Sequence, residues 1–375
     1  MKKHNTIMTM LMAVAFTILT ACHKEPDNTT IETDVQQFEA VWNELNDTYV
    51  FWSVDTIDWD AVYNKYHPLF EEMDNQPDDV WKATWTELTS NLLDHHLTIS
   101  LNRPSSDITL VGLYDLYLQP GYDEVKGRDY YHARLSMFDH KKMLNSMEGN
   151  GRLIDATSSS CIYSGVLDEK IAYIYISSFL GLSLDTIEAF SHFKQIVANE
   201  NIKAAIIDVR DNMGGASENL VPMLSCFTTE HVLIGYTQTK LGLGKYDLSP
   251  KAPSIVSPVS GQRREIPIVV LTSVNSASMG EVMPIALRHL PQCYVVGERT
   301  FGATGPINGD KKGNGYVITT SDLIFEDVDG TIYEGYGVEP DIECLFDKNL
   351  WNSGIDNQLE MAISVALGKI VENGN

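Results

Sequence analysis

The chain has little positive charge, few cysteines and, beyond its N-terminus, no long apolar run. Its 375 residues carry 27 lysines and arginines against 51 aspartates and glutamates, a formal net charge of −24. An acidic surface of that size repels phosphate backbones, which excludes a nucleic-acid binder. Of the five cysteines, Cys161, Cys226, Cys293 and Cys344 are widely spaced and form no C-x-x-C. Nothing here suggests a disulfide scaffold or a cysteine-based zinc site. An oxidising compartment would permit two disulfides, but Cys226 and Cys293 sit in apolar contexts and read as small core residues. No disulfide is expected. After the N-terminus no stretch offers the roughly 20 apolar residues of a spanning helix, and no internal repeat is evident.

The N-terminus is where the basic and apolar residues do cluster. Lys2 and Lys3 precede an apolar run from Ile7 to Leu19, which ends in Leu19-Thr20-Ala21-Cys22. A basic region, a short apolar core and small residues at the cut are the marks of a secretory signal. Cys22 after a small residue resembles the bacterial lipobox, which implies cleavage, diacylation of Cys22 and tethering to a membrane surface. The alternative is an uncleaved signal anchor. Residues 1–21 are thus expected as a signal, and the polar residues 22–33 as a tether. Loss of Lys2 and Lys3 takes the mature net charge to roughly −26. The location expected is outside the cytoplasm, at the outer membrane on its periplasmic or cell-surface side.

Periodicity divides the remainder. Residues 34–95 show helical spacing rich in aromatics: Phe38, Val41, Trp42, Leu45; Trp59, Val62, Tyr63, Tyr66; Trp81, Trp85, Leu88. Three amphipathic helices forming a small helical domain are predicted, with the aromatics as core rather than ligand groove. Residues 96–164 are irregular, with short strand-like pieces such as Tyr130–Leu135. From 165 to 375 strands and helices alternate, which predicts an α/β core. A closing helix over Leu359–Val371 fits the surface.

Two stretches carry chemistry. In the first, Ile266 to Leu271 is a buried-strand pattern that breaks into Ser273-Val274-Asn275-Ser276-Ala277-Ser278 before a helical pattern from Glu281 to Leu290. A strand–turn–helix unit presents a serine hydroxyl at a helix N-terminus, where free N–H groups can stabilise an oxyanion. An ordinary serine cap is the plain alternative. In the second, Ala204–Val209 is another buried strand, followed by Arg210, Asn212 and the pair Gly214–Gly215. Adjacent glycines allow positive φ and close backbone approach, so their amides can face a ligand.

Together, the D-x-R-x-N-x-G-G loop and the S-A-S-M-G-E turn resemble those of the C-terminal-processing (tail-specific) serine peptidases and their tricorn-core relatives. The resemblance implies an α/β, ClpP/crotonase-like catalytic core with Ser278 as nucleophile. It also implies an oxyanion hole made by the N–H of Met279 and one from Gly214 or Gly215. The tail-specific lysine position is Ala303 in Phe301-Gly302-Ala303-Thr304, so a Ser–Lys dyad is not expected. Lys311 and Lys312 lie outside the matching position. The tricorn-type histidine falls on His96 of Leu93-Asp94-His95-His96, and the family's carboxylate on Glu334 of Glu334-Gly335-Tyr336-Gly337-Val338-Glu339-Pro340-Asp341. A Ser–His–Glu machinery follows.

One position departs from the family pattern: His95 stands where the tricorn core has serine, which leaves the relay altered. Asp208, Arg210, Asn212 and Ser276 are expected to hold the loops rather than react, and Glu281 to cap its helix. The His95–His96 pair invites a metal reading, but no H-x-x-x-H or cysteine cluster supports one, and neither metal nor cofactor is expected. The interval 96–164 is too short for the roughly 80–90 residues of a PDZ domain. The expected function is an exported, lipid-anchored serine peptidase acting on peptide or protein substrates, its oligomeric state left open. A non-catalytic binder on the same fold, similar to the retinoid-binding proteins of the photoreceptor matrix, is the alternative, as is an esterase.

Overall fold

The computed structural model describes residues 30–369 apart from 91, 107, 111–136, 180–183, 259–263 and 308. The expected signal segment, Cys22, most of the tether and the strand-like Tyr130–Leu135 therefore lie outside the described residues. Among the described residues no helix is long and apolar enough to cross a membrane.

Three helices open the described chain: α1 Asp34–Thr48, α2 Trp59–Glu71 and α3 Asp78–Thr89. Thr33 caps the first by accepting from Gln36 N, and Asp58 the second by accepting from Ala61 N at 3.0 Å. Their aromatic stripes meet in a core where Phe38 stacks on Phe70 with centroids 4.7 Å apart and Trp81 and Trp85 are fully buried. Each such side chain contributes about 1.5–3 kcal/mol through burial. The helices do not close this core alone. It also takes Ile99 and Leu101 from β1 (Thr98–Asn102) and Ile318 from near the other end of the chain.

The central sheet has seven strands. Its members in chain order are β3 (Leu153–Ser158), β4 (Ile162–Leu167), β5 (Ile171–Ile176), β6 (Ala204–Asp208), β9 (Ile268–Thr272), β10 (Cys293–Gly297) and β14 (Ile342–Glu343). Across the sheet they run β14-β10-β9-β6-β5-β4-β3, parallel from β14 to β5 and antiparallel beyond. Alternate residues of β6 face opposite cores: Ala205 and Ile207 join one, Ala204 and Ile206 the other. The first face is covered by α5 (Leu184–Ala198) and α7 (Met279–Leu287). The second is covered by α4 (Met137–Gly149) and α9 (Asn357–Ala366). A mostly parallel sheet needs this double cover, because both its faces are apolar.

Two expectations change. The sheet begins at Leu153, inside the stretch read as irregular. There the β3–β4 register shifts between Ile154 and Thr157, and Asp155 has φ +51°, which breaks the strand periodicity. The closing helix is not a loose surface helix: Leu359, Ala362, Val365 and Ala366 are buried against the sheet.

Two smaller sheets flank the core. One pairs β7 (Val232–Thr239) with β8 (Ala252–Val256) and β13 (Leu323–Glu326). The other has the order β11 (Lys311–Gly313), β12 (Tyr316–Thr319), β1, β2 (Thr109–Leu110), with Thr98 opposite Thr319. Gln37 of α1 donates through Nε2 to Asn102 O (2.6 Å) and Gly315 O (3.0 Å), tying helix and strands together. This second sheet carries the segment that delivers the two histidines to the end of the central sheet.

Candidate active site

The turn after β9 is built to lift one serine and bury the other. Ser276 is fully buried; its hydroxyl donates to Val209 O (2.8 Å) and accepts from Ser273 N (3.0 Å). Ser278 is half-exposed, and its backbone takes φ +54° and ψ −121°, a region costly for a residue with a Cβ. The conformation is held by its own N–H, which donates to Ala303 O (2.8 Å) and Glu281 Oε2 (3.2 Å). Helix α7 begins at the next residue, so the hydroxyl sits at an N-terminus on a strained elbow.

The glycine loop after β6 packs directly on this serine. Asn212 donates from Nδ2 to Ile176 O (3.1 Å) and accepts at Oδ1 from Gly214 N (2.9 Å), while its carbonyl accepts from Ala277 N (2.9 Å). Gly214 has φ +102°, and a Cβ there would stand 2.5 Å from Ser278 Cβ and 2.9 Å from its Oγ. On the other side, a Cβ on Gly280 would meet Asn212 O at 2.3 Å. Only glycine at both places lets loop and elbow approach so closely. The Gly214 amide is thus engaged by Asn212. Among the described residues, the N–H groups of Gly215 and Met279 donate to no acceptor. Of the two glycines the sequence left open, Gly215 is the one with a free amide.

Asp208 and Arg210 anchor the loop from below. The Arg210 guanidinium, buried at the base of the site, pairs with Asp208 (Nη2–Oδ2 2.6 Å) and with Asp356 (Nη2–Oδ2 2.8 Å), and also donates to Gln358 (3.1 Å). The loop is therefore fastened to the start of α9.

The histidine segment arrives just before β1. His95 Nδ1 lies 2.9 Å from Phe301 O, so it donates there and leaves Nε2 as the lone-pair nitrogen. Its backbone N–H donates to Glu334 Oε1 (3.0 Å). His96 is held through its backbone N–H by Asp94 Oδ1 (2.8 Å), and its ring Nδ1 is buried without a partner. Burial pushes both imidazoles down to about 4, so both are neutral at ordinary pH. No hydrogen bond joins His96 to Ser278 among the described residues.

Glu334 lies fully buried; its Oε2 accepts from Thr304 N (2.7 Å) and Gly305 N (2.9 Å). Asp94 accepts from Ser321 N (2.7 Å) and the Ser321 hydroxyl (2.9 Å). Burial raises Asp94 to about 6, and burial plus the charge of Asp94 raises Glu334 well above the usual carboxylate range. Asp94, His96 and Glu334 bring donor atoms within 4.8 Å of one another, a spacing that a divalent cation could also use. All four carboxylate oxygens already accept N–H or O–H groups.

Sequence reasoning gave Asp94 no role and gave Glu281 only its capping role, which the bond from Ser278 N bears out. Asp94 was legible only as a neighbour of the histidines. Glu281, expected to cap α7, also accepts from Gly302 N (2.7 Å), Ala303 N (2.7 Å) and the Thr300 hydroxyl (2.5 Å), and so bolts the 300–303 strip to the elbow. Burial raises it to about 7 despite those bonds. A cavity of about 280 Å³ lined by Phe227, His231, Arg264 and His289 opens near Ile268, at the opposite end of β9 from Ser278.

A half-exposed serine on strained backbone at a helix N-terminus, with free amides and neutral histidines nearby, is the arrangement of α/β serine hydrolases as a class. Comparison narrows the class. Residues 170–344 match the model of peptidase family S41, and residues 34–78 that of the tricorn protease C1 domain. Residues 170–344 thus carry an S41 serine-peptidase domain. It is 26% identical over 203 residues to the tricorn protease of Thermoplasma volcanium, covering 54% of this chain and 18% of that protein. To the carboxy-terminal processing protease CtpA of Bacillus subtilis it is 24% identical over 190 residues, 51% of this chain and 38% of that one. A crystal structure of a presumed peptidase from Parabacteroides merdae superposes with a TM-score of 0.70 at 26% identity, covering 91% of this chain and 99% of that one. The chain thus matches well under half the length of these two curated relatives, whereas the Parabacteroides structure is matched almost end to end.

Proposed function

We propose that the protein is an exported, lipid-anchored serine peptidase that cleaves peptide bonds through an acyl-enzyme on Ser278. The Ser278 hydroxyl attacks the scissile carbonyl while His96 takes its proton and returns it to the leaving amine; water then reverses the sequence to release the acid. The oxyanion is received by the N–H groups of Met279 and Gly215. Glu334 orients the histidine segment by accepting the His95 N–H, and the Asp94 carboxylate close to the His96 ring stabilises the imidazolium that forms. The observation that carries this reading is the elbow at Ser278, whose φ of +54° is maintained against Gly214 with two amides left free. Strain of this kind is retained where it serves function. The tether at Cys22 places the enzyme at the membrane surface, supported by the pattern from Lys2 to Cys22.

One observation favours a second reading, a binder or weak esterase on the same fold: His96 and Ser278 are not hydrogen-bonded, and His95 replaces the relay serine. Catalytic hydrogen bonds of unliganded enzymes are often long and tighten when substrate binds. Labelling with a peptidyl phosphonate and peptide mapping separates the two. An adduct on Ser278 that is lost in Ser278→Ala and in His96→Ala is expected. Absence of any adduct between pH 5 and 9 would put the binder first.

A further inference from the structure

A third histidine lies buried beside the oxyanion loop, outside the proposed Ser–His–Glu set. His140, on α4, is 4% exposed, and its Nδ1 lies directly against the Asp211 carboxylate. Its ring stacks on Tyr175 (centroids 5.2 Å, 24°) and meets Trp351 edge-on (5.4 Å, 68°). The Tyr175 hydroxyl donates to the same Asp211 oxygen at 3.1 Å. Asp211 immediately precedes Asn212, the residue that fixes the Gly214 amide.

Charge accounting shows why His140 is needed. Arg210 is the neighbouring cation, but Asp208 and Asp356 already flank it with two carboxylates. Asp211, nearly as buried, is left to find another partner, and an unpaired buried carboxylate is costly. Burial opposes its ionisation; the charge and contact of His140, then Arg210 and the Tyr175 hydroxyl, outweigh burial and hold it below the usual range. The other polar groups around this pocket are Glu298, Ser273, Asn275 and Gln358. None of them is a cation.

We propose that His140 is a positioning residue: its pairing with Asp211 pins the 210–215 loop and thereby sets the Gly215 amide at the oxyanion. This rests on the peptidase reading above. An oxyanion donor acts in the transition state more than in substrate binding, so loosening it lowers kcat and leaves KM nearly unchanged. A misplacement near 1 Å costs about 10²-fold in rate.

The test compares His140→Phe, which keeps the stacking but removes the ring nitrogens, with His140→Gln, which keeps a donor but not the ring, and with Asp211→Asn. Expected is a 10–100-fold fall in kcat at constant KM in His140→Phe, a smaller fall in His140→Gln, and non-additivity between His140→Phe and Asp211→Asn. Equal losses in the Phe and Gln variants, or a loss in KM alone, would overturn the proposal. Hydrogen exchange at Gly214 and Ala216 gives a readout independent of catalysis and is made on natively folded protein. Unchanged protection in His140→Phe refutes the positioning role even if the wild type proves inactive. Faster exchange with an inactive wild type sinks the peptidase reading alone.

Discussion

Replacing Gly214 with alanine tests the closest contact in the site. The new methyl would begin 2.5 Å from Ser278 Cβ, 2.9 Å from its Oγ and 3.1 Å from Ala277 O, on backbone at φ +102°. Ordinary van der Waals separation demands a shift of about 1 Å between loop and elbow. The φ strain adds roughly 1–2 kcal/mol and the overpacking about 1–3 kcal/mol, so a thermal midpoint lower by several degrees is expected. The kinetic cost is larger. Displacing the nucleophile from the free amides by that distance costs about 10²-fold, and losing one oxyanion donor outright costs about 10²–10³-fold. Gly330→Ala supplies the control, because its φ is +82° but nothing lies within 4 Å of an added Cβ. It should show backbone strain without loss of rate. Turnover of a peptide substrate, phosphonate labelling and thermal unfolding are measured on all three proteins. A Gly214→Ala enzyme labelled at the wild-type rate would refute the placement of the glycine loop against Ser278.

Three further outcomes follow from the same geometry. Ser276→Ala leaves the Ser273 N–H without its acceptor, while Val209 O keeps the Asn212 N–H, and should cost about 1–3 kcal/mol in denaturant unfolding while Ser278 still labels; Ser278→Ala should do the reverse. Arg210→Met strands Asp208 and Asp356 and should destabilise by about 3–5 kcal/mol, visible as a large fall in the unfolding midpoint; a change within error would show the ion pairs to be dispensable. Glu281, raised from 4.5 to about 7 by burial, contributes stability below pH 4.5 that is lost as pH rises through 7. The unfolding free energy of wild type should therefore fall relative to Glu281→Gln between pH 4.5 and 8, by an amount on the order of 2–3 kcal/mol. Parallel pH profiles would show the carboxyl to be unperturbed.

What the sequence disclosed was local. The elbow at Ser278 and the glycines at 214 and 215 are each a strand followed by a turn, and such signals survive in a single stretch of chain. The helices at 34–89 were equally legible because their aromatic spacing is helical. His96 and Glu334 were reachable only through family resemblance, since nothing near them in sequence says that residues 239 positions apart, such as His95 and Glu334, will be hydrogen-bonded. The wider role of Glu281 was hidden because its partners at 300–303 are brought by β10, not by its own helix. The His140–Asp211 pair was invisible for the same reason. The start of the central sheet was masked by a bulge, which interrupts the alternation that reveals strands.

The strand that follows the histidines pairs with the strand at Tyr316–Thr319, and Gln37 reaches Gly315 across 278 positions of sequence. During synthesis the chain emerges at roughly 5–20 residues per second, so the nucleophile turn is made well before the partner strand of β1 exists. A nascent or interrupted chain ending short of residue 316 therefore holds Ser278 and its glycine loop but lacks the strand that pairs with Thr98–Leu101, next to His95 and His96. The order of the genetic message thus acts as a timer, and the site is assembled only after the strand at Tyr316–Thr319 and Glu334 have been made.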